Sequence, residues 1–359
     1  MLQEIKDTAM SHRRGDGQTP RRGRLDVTVV LLDDGHASTG IVPVEVFDAA
    51  GALWQALRGE PGEPAFRVRA VSLDGGVVRS PYGIEITPQG SIDDVARTDV
   101  VVVASSGLEI DLKLAANSAI LPWLRRQYAQ GALVAGACVG AAYLAEAGLL
   151  DGRLATSHWA LCDQLAARYP KVRWRPDLFV TEDSRLLCSG GVYAAIDVSL
   201  YLVEKLCGHE VAVQCAKALL LPMPRIAQSG YAVTPVARAH DDASVRAAEA
   251  FLQDHLGEAV SAERLASAAG LGARTFTRRF KAATGRMPAA YVQALRIAEA
   301  KAMLERGEGP LQRVSASVGY DDLAFFRALF KRETGMTPAD YRAQFAPLRI
   351  AGEALLAGA

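Results

Sequence analysis

Residues able to do chemistry fall in two separate parts of the 359-residue chain. In the first part Cys138 stands in Gly136-Ala137-Cys138-Val139-Gly140, directly after an apolar run. That pattern is the form of a strand-to-helix elbow, a turn that exposes a side chain at the head of a helix. A thiol there gains the helix N-terminus as an electrostatic partner, and reads either as a thiolate that attacks or holds a ligand or as a small buried residue in a tight turn. His158, in Thr156-Ser157-His158-Trp159, is an imidazole within reach of the same turn or a packed core histidine. Ser105-Ser106-Gly107 follows another apolar run and offers small residues whose amides can face an anion. In the second part Phe276 and Phe280 are four apart on a predicted helix, which leaves Arg274, Thr277, Arg278 and Lys281 largely on the opposite side. A basic, hydroxyl-bearing helix face suits phosphates and the acceptor edges of guanine in a major groove. One such helix in isolation reads better as a solvated surface.

It does not stand in isolation. The phrase F-K-x-x-T-G-x-x-P-x-x-Y occurs twice, as Phe280-Lys281, Thr284-Gly285, Pro288, Tyr291 and as Phe330-Lys331, Thr334-Gly335, Pro338, Tyr341. One supersecondary unit has therefore been built twice. In the first copy Ser261 caps a helix that carries Glu263 in its first turn and ends at Gly270, and Leu271-Gly272 leads to the helix from Ala273. Two short helices joined by a tight turn form a helix-turn-helix. In the second copy Val314–Val318 is the scaffold helix, Gly319-Tyr320 the turn and Leu323–Arg332 the outer helix, with Phe326 and Phe330 inward. Leu323, Ala324, Arg327 and Lys331 are its candidate contacts. Pro288 opens a connecting helix to about Arg306 with an apolar stripe at Tyr291, Leu295, Ala298 and Ala302. The copies are unequal, because Arg278 and Arg279 enrich the first while Ala328 thins the second.

The elements that position these residues follow from pattern. Strands are expected at Val27–Leu32, Phe66–Ser72, Val100–Ala104, Leu133–Ala135 and Leu186–Ser189, the first a continuous apolar run in the manner of a strand buried on both faces. Helices are expected from Pro43 to Leu57, Asn117 to Gln130, Ala141 to Ala147, Trp159 to Arg168 and Ala194 to Leu206. This alternation predicts a doubly wound α/β domain over 25–228, whose ligands sit beyond the carboxyl ends of the strands. Pro222, Pro224, Gly230 and Pro235 mark the change to a linker at 229–243, followed by an all-α domain at 244–345 and a tail at 346–359. Residues 1–24, with five arginines between Arg13 and Arg24 and no apolar anchor, read as a disordered basic arm.

Composition narrows the partners. Hydrophobic residues make up 50% of the chain and charged ones 22%, and the formal net charge of zero hides 15 Lys or Arg against 11 Asp or Glu between Ser244 and Arg342. The five cysteines lack C-x-x-C spacing, and neither an apolar leader core nor a bilayer-length run is present. A cytoplasmic protein with no metal site, no cofactor and no membrane contact is the expectation.

The run from Ala137 to Trp159, in the form C-x-G-A-x-x-L-A-x-A-G-L-L-D-G-R-x-A-T-x-H-W, resembles the elbow region of the PfpI/ThiJ branch of the class I glutamine amidotransferase-like superfamily. More narrowly, it resembles the sensor domain of GlxA-type regulators. Residues 244–345, through the paired T-G-x-x-P-x-x-Y signatures and the G-Y-x-D-x-x-x-F run at Gly319–Phe326, resemble the AraC/XylS family of transcription regulators. The resemblance implies a flavodoxin-like sheet of PfpI type ahead of two helix-turn-helix units. It implies a transcription regulator, in most cases an activator, that binds double-stranded promoter DNA, is a homodimer through its N-terminal domain and works with RNA polymerase. The implied effector is a small polar metabolite, with amino-acid-like and quaternary ammonium compounds among the ligand classes. It would lie against Thr39, Ser106, Gly107, Cys138, Val139, His158 and Trp159, with Trp159, Trp174 and Phe179 as aromatic faces for a cation. Two departures count against catalysis. Val139 stands where the superfamily's enzymes often carry His, and Thr39 stands where others hold an acid that bonds the thiol. The expectation is therefore a binding pocket without a catalytic residue. The alternative is a hydrolase or lyase that uses Cys138 and has a DNA-binding domain fused to it.

Overall fold

The computed structural model describes residues 23–347 except Pro224, Ile226 and 233–239, so residues 1–22 of the basic arm, 233–239 of the linker and the tail beyond Pro347 lie outside the described residues. The chain divides into two compact units. The first takes the chain to His158 with Asp163–Arg175 and Val180–Pro224, and the second takes Trp159–Cys162, Pro176–Phe179 and the chain from Arg225 onward.

The strands of the first unit are β1 (Leu25–Val30), β2 (Phe66–Val71), β3 (Val78–Arg79), β4 (Glu85–Ile86), β5 (Val100–Val103), β6 (Leu133–Ala137), β7 (Leu154–Ala155), β8 (Arg173–Trp174), β9 (Val180–Asp183) and β10 (Leu186–Ser189). Six of them form one sheet in the order β2-β1-β5-β6-β10-β9, parallel except for β9, which runs antiparallel to β10 at the edge. The four valines of β5 are all fully buried, as β-branched residues are when helices cover both faces of a parallel strand. The helices are α1 (Ser38–Ala49), α2 (Leu53–Leu57), α3 (Ile110–Ala116), α4 (Ile120–Ala129), α5 (Gly140–Glu146), α6 (Cys162–Arg168), α7 (Ala194–Cys207) and α8 (His209–Ala218). Val29, Val100, Val102 and Leu187 meet Phe47, Val198, Leu202 and Ala212 of α1, α7 and α8 in one core layer. A fully buried side chain of this kind contributes about 1.5–3 kcal/mol.

Two expectations for the first helix need correction, its start and its continuity to Leu57. Pro43 does not open the first helix: α1 begins at Ser38 and holds Pro43 in its interior, and the helical run then breaks at Gly51, whose φ is +79°. Gly40 lies within α1 because a Cβ there would fall 2.3 Å from Leu31 Cδ2, so packing on β1 sets the helix start rather than local propensity. The helix expected over 117–130 is α4, and α3, directly before it, is an element that the sequence reading did not include.

Leu220 closes α8 with φ +54° and 92% of its surface exposed, while the Leu221 amide donates to Ala216 O at 2.8 Å. This is the helix-ending turn that glycine normally occupies. An L residue there costs roughly 1–2 kcal/mol, partly offset by the greater freedom of glycine in the unfolded chain. Leu220→Gly is therefore expected to stabilise the first unit by about 0.5–1 kcal/mol, read as a raised urea midpoint. An unchanged or lowered midpoint would contradict it.

The second unit is helical from α9 (Ala243–Asp254) through α10 (Ala262–Ala268), α11 (Ala273–Thr284), α12 (Pro288–Glu305), α13 (Leu311–Ser317) and α14 (Leu323–Thr334) to α15 (Pro338–Phe345). It has two cores. Val245, Leu252, Leu265, Phe276, Phe280 and Tyr291 build the first, and Ile297, Leu304, Val314, Phe326, Phe330 and Tyr341 the second. The expected stripe on α12 is corrected accordingly. Ala298 is exposed, and α12 buries Tyr291 and Val292 in one core and Ile297, Ala300 and Leu304 in the other. A helix that serves two cores shows no single apolar face.

The repeated phrase is the brace of each unit. Thr284 Oγ1 donates to Phe280 O at 2.8 Å and accepts from the Arg286 amide, and Thr334 Oγ1 does the same with Phe330 O at 2.7 Å and the Met336 amide. Gly285 and Gly335 end their helices at φ +76° and +77°, a conformation that glycine adopts without strain. Pro288 and Pro338 then start the next helix. Tyr291 stacks edge-on against Phe280 at 5.0 Å and donates to Glu249 at 2.7 Å, while Tyr341 stacks on Phe330 at 5.4 Å and donates to Glu305 at 2.5 Å.

Candidate functional site

The elbow of the first unit forms as its small residues dictate. Cys138 has φ +55°, between β6 and α5. A Cβ on Gly140 would lie 2.2 Å from Val103 O and one on Gly136 2.6 Å from the Ala141 amide, so only glycines let the turn pack on β5 and on its own helix. The Cys138 amide donates to Ser189 O at 3.2 Å, and its carbonyl accepts from Ser157 Oγ at 2.8 Å. Cys138 is 3% exposed. Burial pushes the thiol up to about 11, against weaker opposite pulls from the Val139 amide, the Ser105 hydroxyl and the His158 amide. His158 is half-buried, and burial followed by the proximity of His36 holds its imidazole below the usual histidine value. The ring lies against Gly191, where a Cβ would come within 2.9 Å of it.

Around this centre the predicted contacts separate into layers. Thr39 is fully buried, with its hydroxyl donating to His36 O at 2.7 Å and accepting from the Ser105 amide at 3.0 Å, so it braces the residue that touches the sulfur. Ser106 is held from behind by Tyr143, whose hydroxyl donates to it at 2.6 Å. Gly107 takes φ +93° beside Asp34, which pairs with Lys113. Val139 is 1% exposed in the elbow itself. The loops after β1 and β5 close on each other, since a Cβ on Gly35 would overlap Ser105 O, and the cavity between them, lined by His36, Ser80 and Ser105, measures about 10 Å³. That is room for about one water molecule. Trp159 belongs to the second compact unit, not to the one that holds the elbow. Phe179 carries the guanidinium of Arg225 on its ring at 4.1 Å, so the chain supplies its own cation to that face. Among the described residues no group of three or more His, Cys, Asp or Glu is placed to hold a metal ion, and no helix is long and apolar enough to cross a membrane.

In the second unit α11 and α14 present the predicted basic residues. Arg274, Arg278, Lys281, Arg327 and Lys331 are all exposed, and among the described residues none is held by an ion pair. Thr277 is half-buried with its hydroxyl donating to Ala273 O at 2.9 Å, Ala324 is exposed, and Leu323 is partly packed into the second core. Arg279 is different. It forms a two-pronged pair with Asp242, at 2.8 and 2.7 Å, and Asp242 caps α9 by accepting from the Val245 amide. Arg279 therefore fastens the outer helix to the start of the unit and adds no free charge to its face. Two exposed positions escaped the sequence reading, Thr275 and Phe325. The signal for Phe325 was present, because consecutive phenylalanines on a helix lie about 100° apart and Phe326 already fills the core.

The DJ-1/PfpI family profile matches residues 26–205 and a helix-turn-helix domain profile matches residues 265–344. The HTH-type transcriptional regulator CdhR of Pseudomonas aeruginosa is 26% identical over 280 residues, 77% of this chain and 82% of that protein. The HTH-type transcriptional regulator GlxA of Rhizobium meliloti is 25% identical over 284 residues, 78% of this chain and 86% of that protein. An isonitrile hydratase of Pseudomonas putida is 34% identical, but over 152 residues that cover 42% of this chain and 63% of that protein. The two regulators thus match across both units, whereas the enzyme matches within less than half of the chain. This chain belongs to the DJ-1/PfpI family, and it carries a helix-turn-helix domain at its C-terminal end.

Proposed function

We propose that the protein is a DNA-binding transcriptional regulator whose N-terminal domain senses a small polar metabolite without catalysing a reaction. The observation that carries this reading is the duplicated helix-turn-helix with exposed cations on both outer helices, joined through α12. An 18-residue helix spans about 27 Å at 1.5 Å per residue, comparable with the roughly 34 Å between successive major-groove faces of B-DNA. Similarity to named regulators along most of the chain supports the same conclusion. The effector would lie at the elbow of the first unit, against Cys138, Val139, Ser106, Gly107, Thr39 and His158. It would act by shifting the population of arrangements in which a homodimer presents its DNA-binding domains to paired half-sites.

The test is selection of high-affinity duplexes from a random pool by the full chain, followed by titration. Arg278→Ala is expected to weaken binding about tenfold and to lower the salt dependence by about one counterion, and Arg327→Ala to weaken it less. Equal losses would remove the proposed asymmetry between the copies. An effector that saturates the protein yet changes neither promoter affinity nor transcription would sink the sensing mechanism.

A further inference from the structure

The two outer helices superpose in register at an offset of fifty residues, because Phe280-Lys281 and Phe330-Lys331 hold the same place in the repeated phrase. That alignment pairs Arg274 with Ala324, Thr275 with Phe325 and Arg278 with Ala328, and all six are exposed. The same three outward positions are thus Arg, Thr, Arg in the first reader and Ala, Phe, Ala in the second. Phe325 leaves 54% of its surface exposed although its ring also leans on Tyr320 at 5.8 Å. It sits in the first turn of α14, the part of a recognition helix that meets base edges in helix-turn-helix proteins. Arg327 and Lys331 on the same helix are exposed cations, so this small apolar patch lies beside charge that complements a polyanion.

An apolar patch makes no hydrogen bond to a base edge, but the major groove holds one apolar feature, the 5-methyl group of thymine. We propose that the two halves of the DNA-binding domain read different chemistry. The first half reads hydrogen-bond acceptors through Arg274 and Arg278, and the second reads thymine methyl groups through Phe325 flanked by Ala324 and Ala328. Specificity in the second half-site then comes from van der Waals contact, with Arg327 and Lys331 on the phosphates. This rests on the DNA-binding function proposed above.

The experiment uses the full chain and the duplexes it selects. Each thymine is replaced singly by uracil, which keeps base pairing and removes only the methyl group. Wild-type protein is expected to lose about fourfold in affinity at one or two thymines, all in one half-site, the transfer value of one buried carbon. Phe325→Ala should lose a similar factor on the thymine duplex and become indifferent to uracil. Phe325→Leu, which stays apolar, should retain the discrimination, and Arg278→Ala should bind more weakly overall with the uracil response intact. Thermal unfolding of each variant separates loss of the Tyr320 contact from loss of a base contact. Wild-type binding unaffected by uracil anywhere, or a Phe325→Ala variant that remains as sensitive as wild type, overturns the proposal. So does a Phe325→Ala variant whose DNA binding is unchanged while transcription falls, since the patch would then face a protein of the transcription machinery. If the wild-type chain selects no duplex at all, it is the DNA-binding function itself that fails.

Discussion

Arg296→Ala is expected to weaken binding to a duplex with both half-sites by about a hundredfold, far more than the loss of any single outward-facing arginine. Arg296 projects from α12 and donates from Nε to Leu256 O at 3.0 Å, from Nη1 to Gly319 O at 3.1 Å and from Nη2 to Glu258 O at 2.5 Å, with its guanidinium 5.1 Å from the centre of the Tyr320 ring. Leu256 and Glu258 lie between α9 and α10 in the first helix-turn-helix unit, and Gly319-Tyr320 is the turn of the second. One planar cation thus ties the two readers to each other through three carbonyls. Gly319 is needed there, since a Cβ would fall 2.6 Å from Arg296 Nη2. Hydrogen bonds from a charged donor are worth roughly 1.5–3 kcal/mol each and are not additive, so a total loss of about 2–3 kcal/mol is reasonable for this half-buried group. Arg296→Lys should recover only part of it, because an ammonium cannot reproduce the guanidinium fork. The readout that separates alignment from general damage is spacing. Wild-type protein should be penalised when base pairs are inserted between the half-sites, and Arg296→Ala should be penalised less, because its readers are no longer held at one separation. If both proteins show the same spacing profile, Arg296 stabilises the fold without setting the register.

That arginine also shows where sequence reasoning stops. The two cores of the second unit were legible because Phe276, Phe280, Phe326 and Phe330 recur at helical spacing inside a repeated phrase, and all four are fully buried. The join between the cores was not legible. Arg296 bonds to backbone carbonyls, which any residue type supplies, so no pairing pattern reveals it. Arg279 illustrates the converse: it reads as one more surface cation until Asp242, 37 positions earlier, is seen to hold it. In the first unit the valine-rich strands identify themselves, because residues buried on both faces leave no alternation to misread. The start of α1 does not, since Ser38, Thr39 and Gly40 are weak helix formers that tertiary packing on Leu31 draws into the helix. For the elbow, glycines at 136 and 140 announced the turn and Cys138 at its apex. How tightly the loops after β1 and β5 close on each other depends on contacts between segments some 70 residues apart, and so lies beyond any local pattern.

The closure has a direct chemical consequence at Cys138. A thiol raised from 9.0 to about 11 by burial carries about a hundredfold less thiolate at pH 7, and thiolate is the form that reacts. Alkylation of Cys138 by iodoacetamide in the folded protein is therefore expected to be at least a hundredfold slower than in the urea-unfolded chain, and its rate should rise tenfold per pH unit up to about pH 11. Peptide mass spectrometry resolves the site, and Cys207, which burial also pushes up to about 11, serves as an internal comparison. Linkage adds a second signature. The folded state keeps the proton that the unfolded chain gives up first, so Cys138 contributes stability that is fully present below pH 9 and is lost as pH rises through 11. Cys138→Ala should remove its share of that alkaline loss. Nucleophilic catalysis requires the opposite behaviour, a thiol activated by a nearby base and reactive near neutrality. Among the described residues His36 lies near His158 in the first unit, and burial followed by His36 lowers the pKa of His158, which makes it a weaker base. Rapid, pH-independent alkylation of Cys138 above pH 7 would restore an enzymatic reading. Slow alkylation that rises with pH is the behaviour of a buried thiol that does not serve as a nucleophile.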